Sequence, residues 1–131
     1  MSGEESVVPA EWYVIAERDL GACKVLLGQD DRFLPVVASQ LQQAVEKYLK
    51  GYLISKGWTL RRIHSLDRLL ADLVALEPDF AEFMPACIKI SAYYAEYRYS
   101  LRLPSPLSRA EVQESLAQAE SLIARIQSRT H

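Results

Sequence analysis

Apolar residues recur along this chain at spacings of three and four, and no sustained two-residue alternation interrupts them. The pattern predicts helices and no strands. Trp12, Ala16, Leu20, Cys23 and Leu27 form the stripe of a first helix from Ala10 to Leu27, with Gly28 placed to close it. A second and longest helix is capped by Asp31, carries Pro35 in its first turn and ends at Gly57. Its stripe is Phe33, Val37, Leu41, Val45, Tyr48 and Tyr52. After a short basic connection, Ser65 caps a third helix bearing Leu66, Leu69, Leu70 and Leu73, which stops near Glu77-Pro78. A fourth starts at Asp79. Pro85 kinks or divides it, and its main part runs from Ala86 to about Arg98.

Pro104-Ser105-Pro106 is a rigid connection to the fifth helix. There Ser108 and Glu111 have capping-box spacing, and Leu107 and Val112 are set for a hydrophobic staple. The fifth stripe is Val112, Leu116, Ala119, Ile123 and Ile126. Caps, stripes and breakers agree on an all-α, five-helix, up-and-down-like bundle. It should form one domain over residues 10–128, preceded by a flexible segment over 1–9. A chain of 131 residues is long enough to bury a core.

The second helix also has a polar side. With Leu41 set at zero and about 100° per residue, Val45, Tyr48, Leu49 and Tyr52 gather within about 80° of it. Gln42, Gln43, Glu46, Lys47 and Lys50 fall on the far side, and Glu46 and Lys50 are an i,i+4 pair in the favourable order. This face reads either as a solvated outer surface or as a self-complementary surface for pairing with a second subunit.

Charge narrows the choice of partner. The net charge is −2, too small for a bulk, salt-driven nucleic-acid binder. It is unevenly spread, however. Residues 1–31 hold seven acids and two bases, residues 32–68 seven bases and two acids, and residues 69–131 eight acids and six bases. The middle third, at +5, is the anion-facing region unless its bases are merely scattered and solvated. The polar, acidic start is no secretory signal, and no apolar run approaches the ~20 residues of a membrane span. The expectation is a cytoplasmic protein. Cys23 and Cys87 lie on apolar stretches without CxxC or Cys/His clustering, which reads as two buried thiols. With no acidic or Cys/His cluster, neither a metal nor another cofactor is expected.

Two further places could carry chemistry. Tyr93 to Tyr99 sets Tyr94 and Arg98 one helical turn apart. There the guanidinium can stack on phenol rings or offer its fork to a phosphate, unless the tyrosines are simply the wet edge of the core. Arg61-Arg62-Ile63-His64-Ser65 lies just before the third helix, where basic residues and unpaired backbone N–H groups can gather an anion. His64 could carry a proton, donate to phosphate, or be a satisfied loop histidine.

Three motifs together carry a family resemblance. The run from Gln42 to Leu53 resembles the "QQAxEKxLKAxL" helix of small prokaryotic HEPN proteins. His64-Ser65-Leu66 with Leu69-Leu70 is similar to that family's "THDLxxLL" segment. Tyr94, Arg98 and Tyr99 match its "YxxxRYP" ending, with Ser100 where the family has Pro. Trp12 to Leu27 resembles its first helix, so the similarity covers roughly residues 10 to 126. It implies a bundle of the nucleotidyltransferase substrate-binding-subunit type, usually a homodimer. It also implies association with a nucleotide, RNA or a small nucleotidyltransferase encoded nearby, in many cases as a toxin–antitoxin pair.

The ligand-binding candidates under this reading are His64, Arg98, Tyr94, Lys47, Lys50 and Arg62. HEPN ribonucleases place a His four to six residues after an Arg. Here Arg98 is followed by no histidine before His131. Arg125 and His131 have the spacing but stand at the end of the chain, away from the family's position. The reading is therefore a binding module. The alternatives are a metal-independent endoribonuclease with a composite His64/Arg98 site and a purely structural dimerisation bundle.

Overall fold

Proline and glycine set most of the helix limits. The computed structural model describes residues 6–99 and 107–130, with the backbone alone for 93–99. Pro9 opens α1 (Pro9–Leu27) and Pro35 stands in the first turn of α2 (Leu34–Ser55). Both are positions where a missing N–H costs nothing. Gly57, at φ +90°, takes the left-handed conformation that turns the chain after α2. Then follow α3 (Leu66–Leu76), α4 (Met84–Tyr99) and α5 (Arg109–Ser128). The described residues contain no strand, and the architecture is the all-α, five-helix bundle that the stripes imply.

Several ends differ in detail from the sequence reading. A 3₁₀ turn over Asp31–Phe33 precedes α2, and it is Asp30, not Asp31, whose side chain accepts from a backbone N–H, that of Arg32. Ser65 holds the N-cap position of α3 but makes no capping bond. Its hydroxyl donates to Asp67 instead, and the Leu66 N–H is taken by Ser91 Oγ of α4 at 2.8 Å. The stretch from Asp79 falls into two separate pieces, one of the two outcomes that Pro85 predicts. A 3₁₀ segment over Pro78–Phe83 absorbs the irregularity, and α4 begins at Met84 with Pro85 in its first turn. The capping box of Ser108 and Glu111 forms as expected.

α2 is the axis of the bundle and packs against each of the other four helices. Its stripe from Val37 to Tyr52 is buried, together with Leu66, Leu69, Leu70 and Leu73 of α3 and Leu122, Ile123 and Ile126 of α5. Two arginine clamps tie α5 to the rest. Arg109 donates to the Leu27 and Gln29 carbonyls and to Asp31, closing the end of α1. Arg125 and Arg129 lie over the Phe80 and Phe83 rings and pair with Glu82, Asp79 and Glu77.

α1 runs so close to α2 that Gly51 has no room for a side chain. A Cβ there would meet Tyr13 Cε1 at 2.8 Å and Trp12 Cβ at 3.0 Å. Alanine favours helix over glycine by about 1 kcal/mol, yet here overpacking outweighs that gain. Gly51→Ala should lower the unfolding free energy by about 1–3 kcal/mol, read from the urea midpoint at unchanged m-value. A midpoint that rises would show that α1 yields freely.

Candidate functional site

The polar side of α2 is interior. Gln42, Glu46 and Lys50 are 1, 2 and 2% exposed, so they form neither a solvated surface nor one open to a second subunit. The cause is α1, which lies along the side that the helical wheel assigns to water. Trp12 stacks under Lys50 with the ammonium 5.6 Å from its ring, Tyr13 crosses Gly51, and Asp19 takes Lys47 Nζ at 2.6 Å. Gln43 and Lys47 are partly buried.

Inside, these side chains form a ladder one turn per rung. Lys50 Nζ donates to Glu46 Oε2 at 2.8 Å, and Gln42 Nε2 donates to Glu46 Oε1 at 3.2 Å. Gln42 Nε2 also donates to the His64 carbonyl at 2.7 Å, and His64 Nδ1 lies 2.9 Å from Glu46 Oε2. Glu46 thus accepts from an ammonium, an amide and an imidazole, which is what a buried carboxylate needs in place of water.

The ladder fixes His64. An ionised carboxylate only accepts, so opposite ionised Glu46 it is Nδ1 that carries the proton, and Nε2 is left outside this contact. The side chain is 56% exposed, so the ring is held at one edge and open at the other. The orientation of His64 is set by a buried residue eighteen positions earlier. The start of α3 beside it is a weaker anion trap than the sequence suggests, since Ser91 takes its first N–H and Asp67 stands in its first turn.

Ion pairing then sorts the basic residues. Of the described bases, Lys24, Arg32, Lys47, Lys50, Lys56, Lys89, Arg109, Arg125 and Arg129 all have an acidic partner within 4 Å. Arg18, Arg61, Arg62 and Arg68 have none among the described residues, and all four are exposed. Three of these four fall within eight residues and bracket His64. Sequence reasoning gave weight to Lys47 and Lys50, which the fold consumes, and passed over Arg68 and the part Glu46 plays. One signal was available: residues 47–66 contain five bases and not one acid.

Tyr94 and Arg98 are on α4, but their side chains lie outside the described residues. So does His131, and Arg125 is occupied by Glu82 and the Asp79 carbonyl. Cys23 and Cys87 are buried, unpaired thiols that burial pushes up to about 12. Among the described residues no group of His, Cys, Asp or Glu is arranged to hold a metal ion, and no helix is long and apolar enough to cross a membrane.

With this geometry in hand, comparisons with known proteins are informative. A family model described as HEPN domain matches residues 10–129. No curated protein matches. Among solved structures, the crystal structure of TT1696 from Thermus thermophilus is similar, with a TM-score of 0.74 at 26% identity. The match covers 93% of this chain and 98% of that one.

The ladder makes a sharp energetic statement. Glu46→Gln leaves Lys50 buried without its counter-charge and should cost about 3–5 kcal/mol. Adding Lys50→Met to that variant should recover a large part of the loss. The check is a double-mutant cycle in urea, and additive effects would mean that the two charges are not coupled.

Proposed function

The chain belongs to the HEPN domain family, and from that premise we propose that it is a homodimeric binding module whose basic edge engages a phosphate-bearing partner. The family gives the general association with nucleotides or RNA. The carrying observation for this chain is the set of exposed arginines without acidic partners among the described residues, Arg61, Arg62 and Arg68, on either side of the exposed His64 in the chain. Unpaired guanidinium groups offer rigid forks that match phosphate oxygens. A protonated His64 adds a donor at Nε2, and a neutral one an acceptor. Lys47 and Lys50 drop out as ligand contacts and serve to hold the frame. Arg98 and Tyr94 stay in the reading on their motif position, seven and three residues beyond the Ser91 that meets α3. A small nucleotidyltransferase remains the protein partner that the family resemblance suggests, as one half of a toxin–antitoxin pair.

One observation favours a second reading. An imidazole oriented by a carboxylate at Nδ1 is the arrangement by which a histidine works as a general base at Nε2. That supports a metal-independent endoribonuclease using His64 and Arg98.

The test uses a labelled 12-nucleotide single-stranded RNA and fluorescence anisotropy across salt concentrations. Each arginine replaced by alanine at 61, 62 or 68 should weaken binding and lower the log–log salt slope by about 0.7. Arg18→Ala removes another exposed arginine, on α1, and should change neither. Wild-type affinity in the triple variant would end the basic-edge reading. The protein alone should leave the RNA intact in the presence of a chelator. Cleavage that disappears in His64→Ala would promote the nuclease.

A further inference from the structure

The outward line of α1 is apolar where a helix packed on one side normally carries polar residues. At about 100° per residue, Ala10, Val14, Gly21 and Val25 fall within an arc of about 60°. They lie opposite Trp12, Ala16 and Cys23, which are buried. α1 packs mainly against α2, and Val14 and Val25 are left 63 and 67% exposed. With Val7 and Val8 just before the helix, they are four of the six large hydrophobic residues exposed among the described residues. Gly21 stands in the middle of the line. Glycine is the poorest helix former after proline, and its own chain gives it no packing reason, since a Cβ there would meet nothing within 4 Å. Room of that kind suits the close approach of another chain.

Charge decides which chain. The exposed acids of α1, Glu11 and Glu17, precede its exposed bases, Arg18 and Lys24. Two such helices laid antiparallel set the acids of each against the bases of the other, whereas a parallel pair opposes like charges. The surface is complementary to itself, as a two-fold interface requires. We infer that the outward line of α1 is the seam between two copies of this chain, paired antiparallel. The inference rests on the homodimer reading above and adds the face that closes the dimer. Val14 of each copy packs on Val25 of the other, and the bare Gly21 takes the aliphatic stem of the other copy's Arg18. Glu17 comes to the side of the other copy's Lys24. Both are already tethered in their own chain, Glu17 by the Tyr48 hydroxyl and Lys24 by Glu120, so little side-chain freedom is lost on pairing.

Sedimentation equilibrium on the full chain at micromolar concentrations should show a dimer. Gly21→Gln and Val25→Gln place polar bulk on the line, and each should raise the dimer dissociation constant about tenfold or more. Neither should lower the urea midpoint measured in dilute, monomeric solution, because glutamine is the better helix former and both positions are exposed. Val14→Cys combined with Val25→Cys should cross-link two copies on mild oxidation. Within one helix the two positions are about 16 Å apart, too far to bridge. Val14→Cys alone should not cross-link. Arg62→Ala should dimerise as the wild type does, and the two glutamine variants should keep the RNA salt slope, since each copy holds its own basic edge. A monomer throughout would overturn the seam and the homodimer reading together. A dimer indifferent to both glutamine variants would overturn the seam alone, and cross-linking by Val14→Cys alone would overturn its antiparallel course.

Discussion

Glu46 and Lys50 form an ion pair inside the bundle, and the position of α2 forces its burial. A helix in contact with four neighbours has little circumference left for water. This one nevertheless carries three polar residues on one flank, one turn apart. Removing two charges from water costs several kcal/mol each before any contact repays it. The repayment comes from geometry: a carboxylate between an ammonium and an amide on its own helix, an aromatic face beneath the ammonium, and an imidazole from the next connection. Each partner must stand where it does for the others to be satisfied. The crossing of α1, the course of the chain after Gly57 and the setting of His64 therefore depend on one another.

That dependence divides the charged residues into two kinds. Most bases close a gap between elements, as Arg109 does at the end of α1 and Arg125 and Arg129 do against the Phe80 and Phe83 rings. Their fields are largely cancelled by the acids they meet, some of which are held below the usual carboxylate range. Asp79 is so held by its bonds to Arg129. Glu77, despite its partial burial, is held down by Tyr52, Arg129 and Lys56. What is left over among the described residues, apart from Arg18 on α1, is the run from Arg61 to Arg68. A protein of net charge −2 can thus present a local positive edge without being a basic protein.

The helices were legible in the sequence because their signals are local. A proline in a first turn, a Ser-x-x-Glu box and a stripe at spacings of three and four act through neighbours a few residues away. The buried polar flank was not legible, because the wheel of α2 gives angles but not what lies opposite them. Leu41 marks the inner side correctly, yet nothing in residues 34–55 announces that Trp12, Tyr13 and Asp19 cover the other side. The same limit applies to the ends. Asp30 and Asp31 are equally good caps on paper, and Ser65 makes no capping bond because its hydroxyl turns to the Asp67 carboxylate, while Ser91, twenty-six residues later, meets the first N–H of the helix. For the site, the connection around His64 was visible as basic. Which of its cations stay free depended on tertiary pairing.

The close passage of Tyr13 over Gly51 has a meaning for the history of the sequence as well as for its packing. The family motif that this helix resembles has alanine at the corresponding place, and here the methyl group and the ring compete for one volume. Regaining the alanine with the tyrosine in place would require the ring to shift, at a cost in stability. A smaller residue at 13 would relieve the tightest of these contacts, while the Trp12 Cβ at 3.0 Å would still crowd position 51.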